Sequence, residues 1–471
     1  MNNDLLHQIS SAVWGPLLLV LLLGTGVYFT LRLKLVPLTK LFYALKIAFC
    51  GVKGMKGEGD ISHFQSLMTA LAATIGTGNI AGVATAMAVG GPGALFWMWV
   101  TAFLGMATNY AESLLAVKYR QKDQNGQMCG GPMYVLSRGL RNKRLGKILA
   151  ASFALFAVLA SFGAGNMTQA NTVAMALHNL AGVKPWMTGI VISVLTGLVL
   201  LGGIKSIGRV SEKLVPFMGI FYILGGLIVI CMHLENLMPG MLQITQSAFC
   251  GQAAVGGFAG ASVAMALQKG VARGVFSNEA GMGSAAIAAA AARTDHPARQ
   301  GFVSMTGVFI DTSVICSITG MAIAATGVWQ DRRFTGVDMT MMAFEKGMPG
   351  IGGLVVTICV ILFAYCTIIG WEYFGEKSVE YLLGGKSIRP YRAVYCVMVF
   401  FGSVFALDTV WNIADIFNGL MVFPNLIGIL MLRHVVASET ENFMRTIYKS
   451  EKKMALLAKR SKKPQRNRAP Q

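Results

Sequence analysis

Charge is scarce in this chain. Only 13% of its 471 residues are Asp, Glu, Lys or Arg, against about 25% in soluble domains. The runs 14–29, 190–201 and 354–365 carry none at all. A soluble globule is thereby excluded, and a polytopic membrane protein is implied. Histidine is also sparse: six are scattered without metal-ligand spacing, which argues against a zinc site. Eight cysteines, at 50, 129, 231, 250, 316, 359, 366 and 396, form no CxxC pair. They read as small apolar packing residues, not as a disulfide framework. No βαβ pattern surrounds the glycines of 76–82, so they are not a dinucleotide fingerprint. Gly385-Lys386-Ser387 imitates the end of a P-loop, but its first glycine would fall at Glu380. With no nucleotide site and no nucleophile–base set, an enzyme is not expected.

Basic residues, by contrast, are plentiful, 40 against 21 acidic, for a net charge of +19. Their placement argues against nucleic acid. Eleven hydrophobic spans can be drawn, at about 12–32, 64–89, 93–117, 148–178, 186–203, 214–233, 255–292, 301–326, 350–375, 390–407 and 411–433. Lys and Arg crowd the loops after spans 1, 3, 5, 7 and 9, and thin out in most of the opposite loops. The positive-inside rule then puts the N-terminus outside and the C-terminus in the cytoplasm of a bacterial inner membrane. The first span follows Asp4 and His7 and precedes Arg32 and Lys34, unlike a cleaved signal peptide. Residues 35–50 read as an interfacial helix. The tail from Lys449 to Arg468 reads as a cytoplasmic segment near anionic lipid headgroups.

Two spans carry matching defects. In span 2, Gly76-Thr77-Gly78-Asn79 interrupts an apolar helix; in span 7, residues 276–284 read FSNEAGMGS. Irregular backbone at membrane depth is tolerated only where it is buried in protein or lines a cavity. Five spans separate the two starts, so spans 2–6 and 7–11 run in opposite senses, as inverted repeats with a broken first helix do. The expected organisation is an extra helix and interfacial segment over 1–63, one five-helix repeat over 64–233, its inverted partner over 234–435, and a basic tail over 436–471.

Each polar cluster has a functional and a plainer reading. Gly76, Thr77 and Gly78 offer N–H groups at a half-helix start to a carboxylate, or allow close helix packing. Phe276 would wall a pocket beside carbonyls that accept an ammonium. Glu279 is either a functional acid or a structural residue that pairs with Arg273 or caps the Gly281 half-helix; the structural role is favoured. Thr367 and Trp371 share a helical face. The Thr367 hydroxyl would suit a hard cation such as sodium, or it bonds its own helix. Asn166 and Gln169 face the cavity together or hydrogen-bond between helices. Asp311, Glu112 and Asp415 are buried acids for which pairing is favoured over proton relay.

The segments 13–33, LAATIGTGNIAGVATAMAVGGPGALFWMW (71–99), CGGPMYVL (129–136), FSNEAGMGSA (276–285) and FIDTSVICS (309–317) resemble the bacterial alanine-or-glycine:cation symporters over about residues 10–435. That resemblance implies an all-α leucine-transporter-type fold, with one extra N-terminal helix before a 5+5 inverted repeat. It implies a substrate carboxylate at Gly76, Thr77 and Gly78, with Gln169, Phe276 and Trp371 enclosing the side chain. It implies sodium held by the carbonyls of Ala72, Ile75 and Phe363 and the side chains of Cys366 and Thr367. Cys366 departs from the expected hydroxyl, since a thiol ligates a hard ion poorly. Asn79 or Asn278 would support a second ion. The expected function is sodium-coupled import of a small neutral amino acid, alanine or glycine. Proton coupling, or cargo such as glutamine or serine, is the alternative within transporters; an uncoupled channel is the alternative outside them.

Overall fold

The computed structural model describes residues 3–52, 57–124, 126–249, 259–405 and 408–454, and they are overwhelmingly helical. Six described helical stretches are long and apolar enough to cross a membrane: Gln8–Arg32, Lys143–Ala181, Gly203–Met232, Pro297–Thr326, Gly352–Leu383 and Val410–Met431. The pair His63–Thr74 and Gly78–Gly90 qualifies as one further span, bent by 55° at its break. The chain is therefore a multi-pass membrane protein. Its polarity is distributed to match: Leu17, Leu198, Leu201 and Phe217 are exposed, whereas Asn79, Asp311 and Glu372 are fully buried. In lipid the apolar surface faces outward and polar groups retreat inside.

Local signals explain the helix ends. Ser62 caps His63–Thr74 through the Gln65 N–H, and the Gln65 side chain returns the bond to the Ser62 N–H. Pro185 and Pro297 open their helices at the first turn. Asn142 caps Lys143–Phe162 by accepting from the Leu145 N–H at 3.1 Å.

Several expected boundaries move. The first span is two helices, Asn3–Val13 and Pro16–Arg32. Pro16 cannot donate to a preceding turn, and Gly15 before it is extended. Residues 204–213, expected in a loop, belong to the helix Gly203–Met232. Two further helices, Leu237–Phe249 and Gly336–Gly347, occupy connections expected to be loops. The seventh expected span is split into Ala259–Asn278 and Ser284–Ala290; its residues 255–258 lie outside the described ones, as does the basic tail from 455 onward. Residues 36–50 form two short helices, Val36–Thr39 and Leu41–Cys50, with Phe42 exposed.

Beyond the last span, Arg433–Phe443 continues through Met444–Tyr448 and folds back on the core. Glu439 pairs with Lys118 at 2.6 Å, Thr440 meets the Tyr110 hydroxyl at 2.9 Å, and Glu451 meets both Arg299 and the Tyr43 hydroxyl at 2.8 Å. Near this clasp the segment leading into the first broken helix is joined by main chain to the segment leaving the second. Isolated bridges pair Glu58 with Thr294 and Ile61 with Ala292, and the Arg293 N–H donates to the Ile61 carbonyl at 2.7 Å. The Arg120 guanidinium donates to the carbonyls of Glu58, Ala290 and Ala292.

Candidate functional site: two broken helices and the helices that face them

The first break begins where His63–Thr74 ends. Ile75 is extended (φ −75°, ψ 91°), and Gly78–Gly82 resumes as a π-helical turn. The Gly76 N–H, which would close the helix onto the Ala72 carbonyl, goes instead to Asn79 Oδ1 at 2.9 Å. Hydroxyls from other helices satisfy carbonyls of the irregular turn. Thr319 donates to the Asn79 carbonyl at 2.8 Å, and Thr340 to that of Ile80 at 3.1 Å.

Three of the oxygens expected for sodium converge. The Thr367 hydroxyl donates to the Phe363 carbonyl of its own helix at 3.0 Å, which is the plainer of the two expected roles, and lies 3.5 Å from the Ile75 carbonyl of the first break. These are hard oxygen donors, suited to an alkali ion. Gly76 makes the approach possible, because a Cβ there would sit 2.5 Å from Thr367 Oγ1. Ala72 and Cys366 are both fully buried. The Ala72 carbonyl has lost its helical donor, the Gly76 N–H, and the Cys366 thiol is a soft ligand.

The residues expected to face a cargo divide. Thr77 Oγ1 and Gln169 Oε1 are buried with no hydrogen-bond partner, and Gln169 Oε1 is 3.7 Å from where a Gly76 Cβ would sit. Buried, unpaired oxygens are costly unless a ligand uses them. Asn166 does not join them through its amide nitrogen: its Nδ2 bonds the Tyr395 carbonyl at 2.9 Å, which is the interhelical reading. Gly76 also departs from expectation. Its N–H is committed to Asn79, which takes it out of the three N–H groups expected to meet a carboxylate. Phe276 closes on Gly78, whose Cβ would lie 3.3 Å from the ring.

Glu279 marks the second break. It holds a left-handed conformation, φ 55°, rare for a residue with a side chain. Its carboxylate accepts from Trp371 Nε1 at 2.9 Å and from the Ser284 hydroxyl at the start of the second half-helix. The expected alternative, pairing with Arg273, is replaced by this pair. Arg273 instead lies over the Phe276 ring at 5.3 Å and, with Lys269 and Asp415, lines a cavity of about 180 Å³ above it. Glu112 reaches the same break from outside, taking Asn425 Nδ2, which also bonds the Gly281 carbonyl at 2.9 Å. Trp371 can sit where it does because Gly165, in the π-helical turn Gly163–Met167, has no Cβ to overlap it.

Asp311 stands between the breaks, in a third π-helical stretch, Phe309–Cys316. It accepts from Asn79 Nδ2 and Ser277 Oγ, each at 2.7 Å, and from Thr312 Oγ1 at 2.8 Å. Asn278 bonds Thr312 Oγ1 at 3.1 Å and the Ala280 N–H at 3.0 Å, tying the break together. Ser277, Thr312 and Ser284 were not singled out from sequence. Their signal is hydroxyls clustered inside otherwise apolar spans.

A sequence profile described as the Sodium:alanine symporter family matches residues 1–457. The sodium/alanine symporter AgcS of Methanococcus maripaludis is 54% identical over 96% of this chain and 99% of its own length. The Bacillus subtilis GlnT, named a probable sodium/glutamine symporter, is 39% identical over 94% of this chain and 89% of its own. Among solved structures, MhsT in complex with L-phenylalanine is similar at TM-score 0.56 with 13% identity, over 82% of this chain and all but 1% of that one. A manganese transporter of Eremococcus coleocola is similar at TM-score 0.52. These likenesses show a shared leucine-transporter-type fold.

Proposed function

The chain belongs to the sodium:alanine symporter family, and from that premise we propose that it imports alanine or glycine together with sodium by alternating access. The observation that carries this reading is the convergence of the Thr367 hydroxyl with the Ile75 and Phe363 carbonyls beside the orphaned oxygens of Thr77 and Gln169. Sodium takes the first set, with Ala72 adding a carbonyl and Cys366 a weak flank. The cargo carboxylate meets the N–H groups of Thr77 and Gly78, where the half-helix dipole favours an anion. Its side chain lies among Gln169, Phe276 and Trp371. Glu279 fixes the Trp371 ring and so the width of the pocket. The close seats of Gly76 and Gly165 leave space for a small cargo only.

The proposal includes eleven spans, with one extra helix before two inverted five-helix repeats over about 64–233 and 234–435. It places the N-terminus outside and the basic tail at the cytoplasmic leaflet. Energy comes from the sodium gradient. No organic cofactor is invoked.

The test is uptake into proteoliposomes. An inward sodium gradient should drive accumulation of labelled alanine or glycine, and glutamine should compete poorly. Uptake driven by a proton gradient alone, or glutamine as the preferred cargo, would replace the reading with its rival. No gradient-driven uptake of any neutral amino acid would end it.

A further inference from the structure

Asp311 is fully buried and touches neither cargo nor the sodium-facing oxygens of the proposed site, yet both breaks are tied to it. We propose that Asp311 is a positioning residue that couples the second break to the sodium-facing backbone of the first, an inference that rests on the sodium site described above.

The coupling runs through the orientation of one amide. An ionised carboxylate only accepts hydrogen bonds. Asp311 therefore obliges Asn79 to present its NH₂ side, at 2.7 Å to Oδ1 and 3.3 Å to the Asp311 carbonyl. That leaves Asn79 Oδ1 facing the other way, onto the Gly76 N–H. Held there, Gly76 cannot close the helix onto Ala72. Ile75 stays extended, and its carbonyl stays 3.5 Å from Thr367 Oγ1.

On the other side, Asp311 Oδ2 takes the hydroxyl of Ser277, the residue next to Phe276. Gly78 packs on the Phe276 ring. A shift of the cargo-side wall is thus felt at Asp311, and through Asn79 at the carbonyls offered to sodium. Phe309–Cys316 is π-helical, and such wide turns recur where helices serve function; the turn carries Asp311 and Thr312 together into the gap.

The plainer account is a buried acid that only satisfies its neighbours. A reciprocal exchange separates the two. In Asp311→Asn the carboxamide no longer dictates which side of Asn79 it receives, so the Gly76 N–H loses its assured acceptor. Adding Asn79→Asp restores the bond between the two side chains with donor and acceptor reversed: residue 79 still accepts from Gly76, and residue 311 now donates to it; only the longer 3.3 Å bond to the main-chain carbonyl of residue 311 is not regained. Ser277 and Thr312 still find an oxygen at 311.

Two readouts are made on the full-length purified protein. The first is the sodium concentration giving half-maximal thermal stabilisation; the second is hydrogen exchange of peptides spanning 72–80. Asp311→Asn should raise the sodium midpoint about tenfold, the equivalent of one lost hydrogen bond to a charged group, and speed exchange in 72–80 by a similar factor. The double variant should return both towards wild type. Unchanged exchange in Asp311→Asn, or no recovery in the double variant, overturns the proposal. If Asp311→Asn does not fold, recovery of a folded double variant with wild-type exchange supports it, and failure of both overturns it. If wild type shows no sodium response, the sodium reading fails, while the exchange measurement still decides whether Asp311 orders the first break.

Discussion

At the scale of single residues, the site depends on what is missing from Gly76 and what is present on Thr367. Gly76→Ala would drive a methyl group into Thr367 Oγ1. We expect sodium-dependent alanine uptake to fall by more than about tenfold, while melting temperature moves by no more than overpacking of about 1–3 kcal/mol allows. Thr367→Ala removes a hard ligand without adding bulk. The sodium midpoint for uptake should rise while the alanine KM at saturating sodium stays near wild type; an unchanged sodium midpoint would remove Thr367 from the ion site. Sequence reading reached both residues, because glycines and a hydroxyl in apolar surroundings stand out. It did not foresee that Asn79 would consume the Gly76 N–H, or that Trp371 rather than Arg273 would engage Glu279. Such choices are made by competition among donors brought together from distant spans, and no local pattern records them.

Elements are where the sequence spoke unevenly. The breaks at 76–79 and 276–284 were legible as polar, glycine-rich interruptions, whereas Leu237–Phe249 and Gly336–Gly347 were not. Those two are short, and Gly336–Gly347 mixes Asp338, Glu345 and Lys346 with Met and Phe. Pro16 signals the split at Trp14-Gly15, but the apolar run that continues through it masks the signal. The start of Pro297–Val308 carries a titration consequence. His296 caps it by accepting the Ala298 N–H on Nδ1 at 3.2 Å, with Nε2 facing Glu439 at 3.5 Å. Burial holds this imidazole below its ordinary pKa, against the pull of Glu439 and Asp295. The unfolded chain then binds the proton more readily than the folded one, so stability is full above the ordinary histidine value of about 6.5 and falls as pH drops beneath it. Melting temperature measured between about pH 7.5 and 5.5 should decline, and His296→Gln should flatten that slope.

For the molecule as a whole, the membrane class and the broken-helix plan were written in composition and periodicity, whereas the clasp formed by the C-terminal helix was not. Residues 436–454 looked like part of a basic tail, yet Glu439 and Thr440 dock on one helix, Gly93–Tyr119, and Glu451 on two others, Leu41–Cys50 and Pro297–Val308. Glu451→Ala takes one of two carboxylates from the buried Arg299, leaving Asp295 at 2.6 Å. We expect a loss of about 2 kcal/mol in stability, read as a lower melting temperature. A change smaller than the error of the scan would show that the clasp rests on Glu439 and Thr440 instead. Close to this clasp, the ends of the two interrupted helices are zipped by peptide groups, Ile61 with Arg293 and Glu58 with Thr294, and Arg120 fastens to carbonyls rather than to an acid. Amino-acid replacement leaves such amides in place. Mutational drift can therefore do little to loosen that seam, and a laboratory selection for faster turnover should return changes at Arg120 before any at a charge pair.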